Sequence, residues 1–209
     1  MSKIEFEPTD NKVGCFIYTN LKDVKKDQID EIKKLLDKYG VLFFKNQSLN
    51  PKQYINFSSN FGTPAKYPML KPHKDFKDIY VIERKKTDTG KSFGEGPHTD
   101  SSYLENPPKF TFLQAINVPE EGKGNTLFYN QFLAYEALPK DIKQKIENLK
   151  GVFSSQGKIA QTRKLRMADH GTSGTKEIRS EHNLVQLING RKTIYCSPGH
   201  IVGIANLSY

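Results

Sequence analysis

Apolar residues return every three or four positions between Asp27 and Tyr39, where Ile29, Ile32, Leu35, Leu36 and Tyr39 share one face. That spacing predicts an amphipathic helix, and Gly40 is placed to end it with a C-terminal glycine cap. The run Val41-Leu42-Phe43-Phe44 reads as a short buried strand. Asn50-Pro51 marks a second helix start, with Asn as N-cap and Pro at the first helical position; Tyr54, Phe57 and Phe61 line it as far as Gly62. Strand-like runs follow at 79–82, 110–118, 126–129, 184–188 and 192–196, separated by Gly, Pro and Asn clusters. A helix over Pro139–Leu149, with Ile142, Ile146 and Leu149 inward, interrupts them. The polar, Gly-containing stretch Ser154–Glu181 reads as a long loop, of the kind that often serves as a functional lid. Helices early and strands late predict a β-rich α+β domain, a β-sandwich or jelly roll with helices packed outside.

Composition narrows the class. A chain of 209 residues, 36% of them hydrophobic, suits one domain over residues 1–209 with a single buried core. No run approaches the roughly 18 apolar residues of a membrane span. The start Met1-Ser2-Lys3-Ile4-Glu5-Phe6 has no apolar signal core, so neither a membrane partner nor export is expected. Cys15 and Cys196 form neither a disulfide framework nor a zinc pattern, which makes a reduced cytoplasm the expected location. The net charge of +9 raises the question of nucleic acid. The lysines, however, are interleaved with acids, as in Lys22-Asp23-Val24-Lys25-Lys26-Asp27, and no basic run alternates with aromatics. A solvated basic surface is expected, with no nucleic-acid partner; its positive field would collect small anionic substrates. Homo-oligomer formation stays open.

The chemistry concentrates at Gly96-Pro97-His98-Thr99-Asp100. A His and an Asp two apart on an extended segment point to the same side, where imidazole nitrogen and carboxylate oxygen can reach one metal ion. Two histidines and one carboxylate on one face of an octahedron form the facial triad of non-haem Fe(II) oxygenases. The three open positions admit a bidentate 2-oxo acid and O2. By itself the triplet also occurs as ordinary surface or loop residues.

The surroundings are more specific. The stretch Pro97–Pro108 resembles the metal-binding strand of the taurine/2,4-D dioxygenase (TauD/TfdA-like) family of Fe(II)/2-oxoglutarate-dependent dioxygenases. The resemblance continues through Phe112–Pro119, Gly122-Lys123-Gly124-Asn125-Thr126-Leu127-Phe128 and Ala134–Pro139. Upstream it takes in Gly40–Phe44 and Asn60-Phe61-Gly62; downstream, His182–Val185 and Gly190–Cys196, in the family's order.

The resemblance implies a double-stranded β-helix, or jelly roll, with outer helices. It implies hydroxylation of a small organic substrate, with 2-oxoglutarate as cosubstrate leaving as succinate and CO2. His98 and Asp100 match the first two iron ligands, and Thr126 matches the threonine that hydrogen-bonds the distal carboxylate of 2-oxoglutarate. Thr126 also has a plain reading as a strand threonine satisfied locally. Pro97 stands where many relatives have Trp, which should alter packing beside the site and leave the ligands intact. His182 and His200 fall outside the iron sphere and read as structural. His73 reads as a solvated loop residue, while His170 lies in the long loop and reads as a candidate substrate contact there. Arg163, Arg166 and Arg179 read as surface charges, with pairing to an anionic substrate as the alternative. Tyr103 either lines the pocket or belongs to the core. The family's second histidine ligand and its 2-oxoglutarate-binding arginine have no match here. Both are expected beyond Tyr209, together with the last core strands. The chain alone is therefore expected to carry a two-ligand half-site with weak iron binding and little turnover.

Overall fold

The computed structural model describes residues 4–11, 13–68, 70–160 and 176–207. They fall into two compact units, one of residues 1–64 and 112–130, the other of residues 65–111 and 131–209.

In the first unit, strand β1 (Phe6–Pro8) pairs antiparallel with β2 (Cys15–Ile17), and β2 pairs parallel with β3 (Leu42–Phe44). A parallel neighbour needs a crossover, and helix α1 (Lys26–Tyr39) supplies it. The apolar face expected of α1 is the buried one: Ile29, Ile32, Leu35 and Tyr39 join Ile4, Cys15, Ile17 and Phe57 in the core. Gly40 adopts φ 78° and its N–H reaches Leu36 O at 2.8 Å, the left-handed cap expected there. Helix α2 (Pro51–Ser58) starts with a reciprocal capping box. The Gln53 N–H donates to Asn50 Oδ1 at 3.0 Å, and the Asn50 N–H donates to Gln53 Oε1 at 2.9 Å. Phe57, Phe61 and Phe112 close this core with ring centroids 5.1–6.1 Å apart.

The second unit carries helices α3 (Gln131–Ala137) and α4 (Lys140–Ile146) and strands β4 (Lys150–Ser154), β5 (Arg179–Asn183), β6 (Val185–Ile188), β7 (Arg191–Ile194) and β8 (Ile201–Ile204). β4 is the centre of an antiparallel sheet of order β5-β4-β8, and β6 and β7 form a hairpin. Asn189 and Gly190 turn that hairpin with φ 49° and 78°, the two positive values a type I′ turn demands. Tyr103 and Phe153 are fully buried, with Tyr195 and Ile201 packed against them.

The structure corrects several sequence expectations. The runs 79–82, 110–118 and 126–129 belong to no ladder among the described residues. A strand needs a hydrogen-bonding neighbour, and apolar alternation does not provide one. Leu113, Ile116, Val118 and Leu127 accordingly stay more than 70% exposed. The expected loop 154–181 ends earlier than foreseen, because Arg179–Glu181 pair with β4 across Val152–Ser154. The expected helix over Pro139–Leu149 is shorter, with Pro139 as its N-cap, and α3 precedes it as a separate helix. The ladders of the described residues are two three-stranded sheets and one hairpin, a mixed helix-and-sheet architecture. Among the described residues no helix is long and apolar enough to cross a membrane.

Candidate metal centre

His98 and Asp100 belong to the second unit, and His98 Nε2 stands 3.2 Å from Asp100 Oδ1. Each side chain is also held at its other end. His98 Nδ1 lies 2.8 Å from the Gly96 carbonyl oxygen. A carbonyl only accepts, so Nδ1 carries a proton and the Nε2 lone pair of the neutral ring faces the carboxylate. Asp100 Oδ2 accepts a hydrogen bond from the Thr111 hydroxyl at 2.8 Å. Immediately after the pair, buried Ser101 takes φ 51°, a left-handed conformation that costs a non-glycine residue about 1–3 kcal/mol. The Leu104 N–H closes that turn onto Ser101 O at 2.9 Å.

Two lone pairs converging at this distance call for a cation between them. A proton is one such cation. The hydrogen bond with Asp100 holds the His98 pKa above its usual value, and the same bond holds Asp100 below the usual carboxylate range. Burial opposes both shifts without cancelling either. A metal ion is another. Two donors about 2.1 Å from one octahedral ion, at right angles to each other, stand about 3.0 Å apart. The donor types, their spacing and the outer hydrogen bonds therefore fit two cis positions of one ion. The side chains are 25% and 50% exposed, so the remaining positions are reachable from solvent.

Among the described residues no third His, Cys, Asp or Glu joins the pair. His200 is buried, its ring centroid 6.2 Å from that of His98, with Nδ1 turned to Thr99 O at 3.1 Å. The His182 ring packs on Phe153 and Tyr195, with Nε2 near Ser180 Oγ and Leu104 O. His73 accepts from the Asp75 N–H and packs on Phe76. His170, Arg163 and Arg166 lie outside the described residues. Arg179 sits in β5 and pairs with Glu177 at 2.8 Å. Tyr103 is fully buried against the His200 ring, a core position. Thr126 is exposed, in a segment of the first unit that joins no ladder of the described residues. Sequence reasoning passed over Thr111, Ser197 and Gly199, whose contacts to the 97–100 segment come from 11 to about 100 residues away. No local motif marks them.

Comparison with known proteins gives the fold and the family of the chain. The solved taurine dioxygenase of Burkholderia xenovorans superposes with a TM-score of 0.71 at 23% identity, over 98% of this chain and 68% of that one. AAD-2, crystallised in complex with Mn(II) and N-oxalylglycine, matches with a TM-score of 0.71 at 24% identity, over 99% and 73%. By fold the chain is thus of the taurine dioxygenase type. The sequence model described as the taurine catabolism dioxygenase TauD, TfdA family matches residues 5–208, and the chain belongs to that family.

Among curated relatives, the alkylsulfatase of Acinetobacter baylyi is 34% identical over 120 residues, covering 56% of this chain and 36% of that protein. The alpha-ketoglutarate-dependent 2,4-dichlorophenoxyacetate dioxygenase of Cupriavidus pinatubonensis is 30% identical over 139 residues, 59% of this chain and 48% of that one. The alpha-ketoglutarate-dependent sulfonate dioxygenase of Saccharomyces cerevisiae is 28% identical over 148 residues, 66% and 35%. The chain spans half or less of the length of these three relatives.

Proposed function

We propose that His98 and Asp100 hold iron(II) for a 2-oxoglutarate-dependent hydroxylation of a small anionic organic substrate. The observation that carries this is the 3.2 Å approach of two donors whose outer atoms are already tied to Gly96 and Thr111. When bound, iron(II) with 2-oxoglutarate and O2 supplies the oxidation of an unactivated C–H bond, 2-oxoglutarate leaving as succinate and CO2. His98 contributes a neutral nitrogen donor whose tautomer the Gly96 carbonyl sets. Asp100 contributes one carboxylate oxygen, its second oxygen being occupied by Thr111. Thr126 would offer its hydroxyl to the distal carboxylate of 2-oxoglutarate. A third metal donor, completing the facial set, would come from outside the described residues, so the pair alone would bind metal weakly.

The family supports a double-stranded β-helix around this pair, with helices outside. Two of the relatives are named for organic anions, 2,4-dichlorophenoxyacetate and sulfonates. The chain's net charge of +9 favours collecting such anions. Both cysteines are free thiols, in keeping with a reduced cytoplasmic setting.

Cobalt(II) titration of the chain, followed by its visible absorption, tests the site. Binding should be lost in both His98→Ala and Asp100→Ala. Succinate release from 2-oxoglutarate across sulfonates, sulfate esters and aryloxy acids then tests the reaction. Cobalt binding that survives both substitutions unchanged would sink the assignment.

A further inference from the structure

We propose that Ser197 and His200 are positioning residues for the His98–Asp100 pair, acting through the peptide groups of the residue between them, Thr99. The Thr99 N–H donates to Ser197 Oγ at 2.9 Å. The Thr99 carbonyl lies 3.1 Å from His200 Nδ1. With its proton on Nδ1, His200 donates to that carbonyl, which only accepts, and Ser197 Oγ stands 3.2 Å from the same nitrogen. One tight turn therefore grips both faces of a single residue 98 to 101 positions away. With both Thr99 peptide groups fixed, the chain cannot rotate between His98 and Asp100, and their side chains are kept on one side.

Further contacts make this a rigid clasp. Ser102 Oγ, just past the pair, also lies 3.0 Å from His200 Nδ1. Gly199 lies flush against the first ligand: a Cβ there would stand 3.0 Å from His98 Cβ and 3.2 Å from Pro97 O. The turn is braced from behind, because the Ser154 N–H donates to His200 O and the Ile159 N–H to Gly199 O, each at 2.9 Å. Ser197 and His200 are 0% and 4% exposed, so water does not compete for these bonds. Outer contacts of this kind set ligand orientation, and their loss typically weakens metal binding 10- to 100-fold.

The role toward metal rests on the proposed iron site; the clasp itself does not. Two readouts on the 209-residue chain separate them. The first is hydrogen exchange of the Thr99 amide in metal-free protein, measured by NMR. The second is cobalt(II) affinity. Ser197→Ala and His200→Leu should each speed Thr99 exchange several-fold to about tenfold while Val152 and Phe153 in β4 stay protected. Both should weaken cobalt(II) binding roughly 10- to 100-fold. His200→Asn, whose side-chain amide nitrogen falls near the place of Nδ1, should retain both properties to within about threefold.

If His200→Leu does not fold, Ser197→Ala carries the test, since it deletes one hydroxyl. Unchanged Thr99 exchange in Ser197→Ala overturns the clasp. So does a His200→Asn protein as impaired as His200→Leu, which would make ring packing the cause. Faster exchange with unaltered cobalt affinity overturns the positioning role. Equal cobalt binding by wild type and His98→Ala overturns the iron site instead, and Thr99 exchange alone then decides the clasp.

Discussion

Gly157→Ala tests whether the bracing behind the 197–200 turn matters. A Cβ at Gly157 would stand 2.6 Å from Gly199 O, 2.8 Å from His200 Cα and 3.0 Å from His200 O. All three are backbone atoms, so no side chain can swing away. Ordinary contact begins at 3.4 Å, which leaves the first two short by 0.8 and 0.6 Å (3.4 − 2.6 and 3.4 − 2.8). The turn cannot retreat freely, because hydrogen bonds from Ser154 and Ile159 hold it at 2.9 Å. Overpacking of this kind costs about 1–3 kcal/mol. The reduced freedom of alanine in the unfolded chain offsets about 0.4–1 kcal/mol. A net loss of about 1–2 kcal/mol lowers Tm by roughly 2–8 °C at this chain length. The displaced turn also moves Thr99, so cobalt(II) affinity should fall about tenfold or more.

Thermal unfolding followed by circular dichroism and a cobalt titration read the two effects. Gly40→Ala is the control. Its φ of 78° penalises alanine by about 1 kcal/mol, but no atom lies within 4 Å of the added Cβ. It should lower Tm and leave cobalt affinity unchanged. A Gly157→Ala protein as stable as wild type with full cobalt affinity would refute the reasoning, because it would mean that the turn yields at no cost.

Three further outcomes are expected. Thr111→Val removes the donor to Asp100 Oδ2 and should weaken cobalt(II) binding about tenfold, with Thr111→Ser near wild type in the same titration; because Asp100 is half exposed, the stability loss should stay below about 1 kcal/mol. In metal-free protein the His98 ring should titrate by NMR above the usual histidine value, and Asp100→Asn should bring it down; the raised His98 pKa stabilises the fold below pH 6.5 and loses that contribution as pH climbs through the shifted value, while the lowered Asp100 pKa loses its share only well into acid. Asn50→Ala should cost about 0.5–2 kcal/mol in urea unfolding by opening the α2 capping box, without touching cobalt affinity.

Local features were legible from the residues because their causes are local. The face of α1, the Gly40 cap and the Asn50-Pro51 start depend on atoms within four positions of one another. The His98–Asp100 pair is likewise a two-residue spacing, so the candidate donors are legible in the sequence, and the family motifs around them point to the same chemistry. Strand pairing is different. β1, β2, β4 and β8 are three to five residues long and carry no pattern that names a partner. Conversely, 110–118 and 126–129 have the composition of strands but join no ladder among the described residues, because a ladder needs a hydrogen-bonding neighbour from elsewhere in the chain. Only the tertiary structure brings Thr111 to Asp100 and the Ser197–His200 turn to Thr99. A serine or glycine that acts by touching a residue about a hundred positions away has no signature in its own neighbourhood. The identity of the candidate donors is written in their side chains, whereas the contacts that hold them come from segments that only the fold brings near.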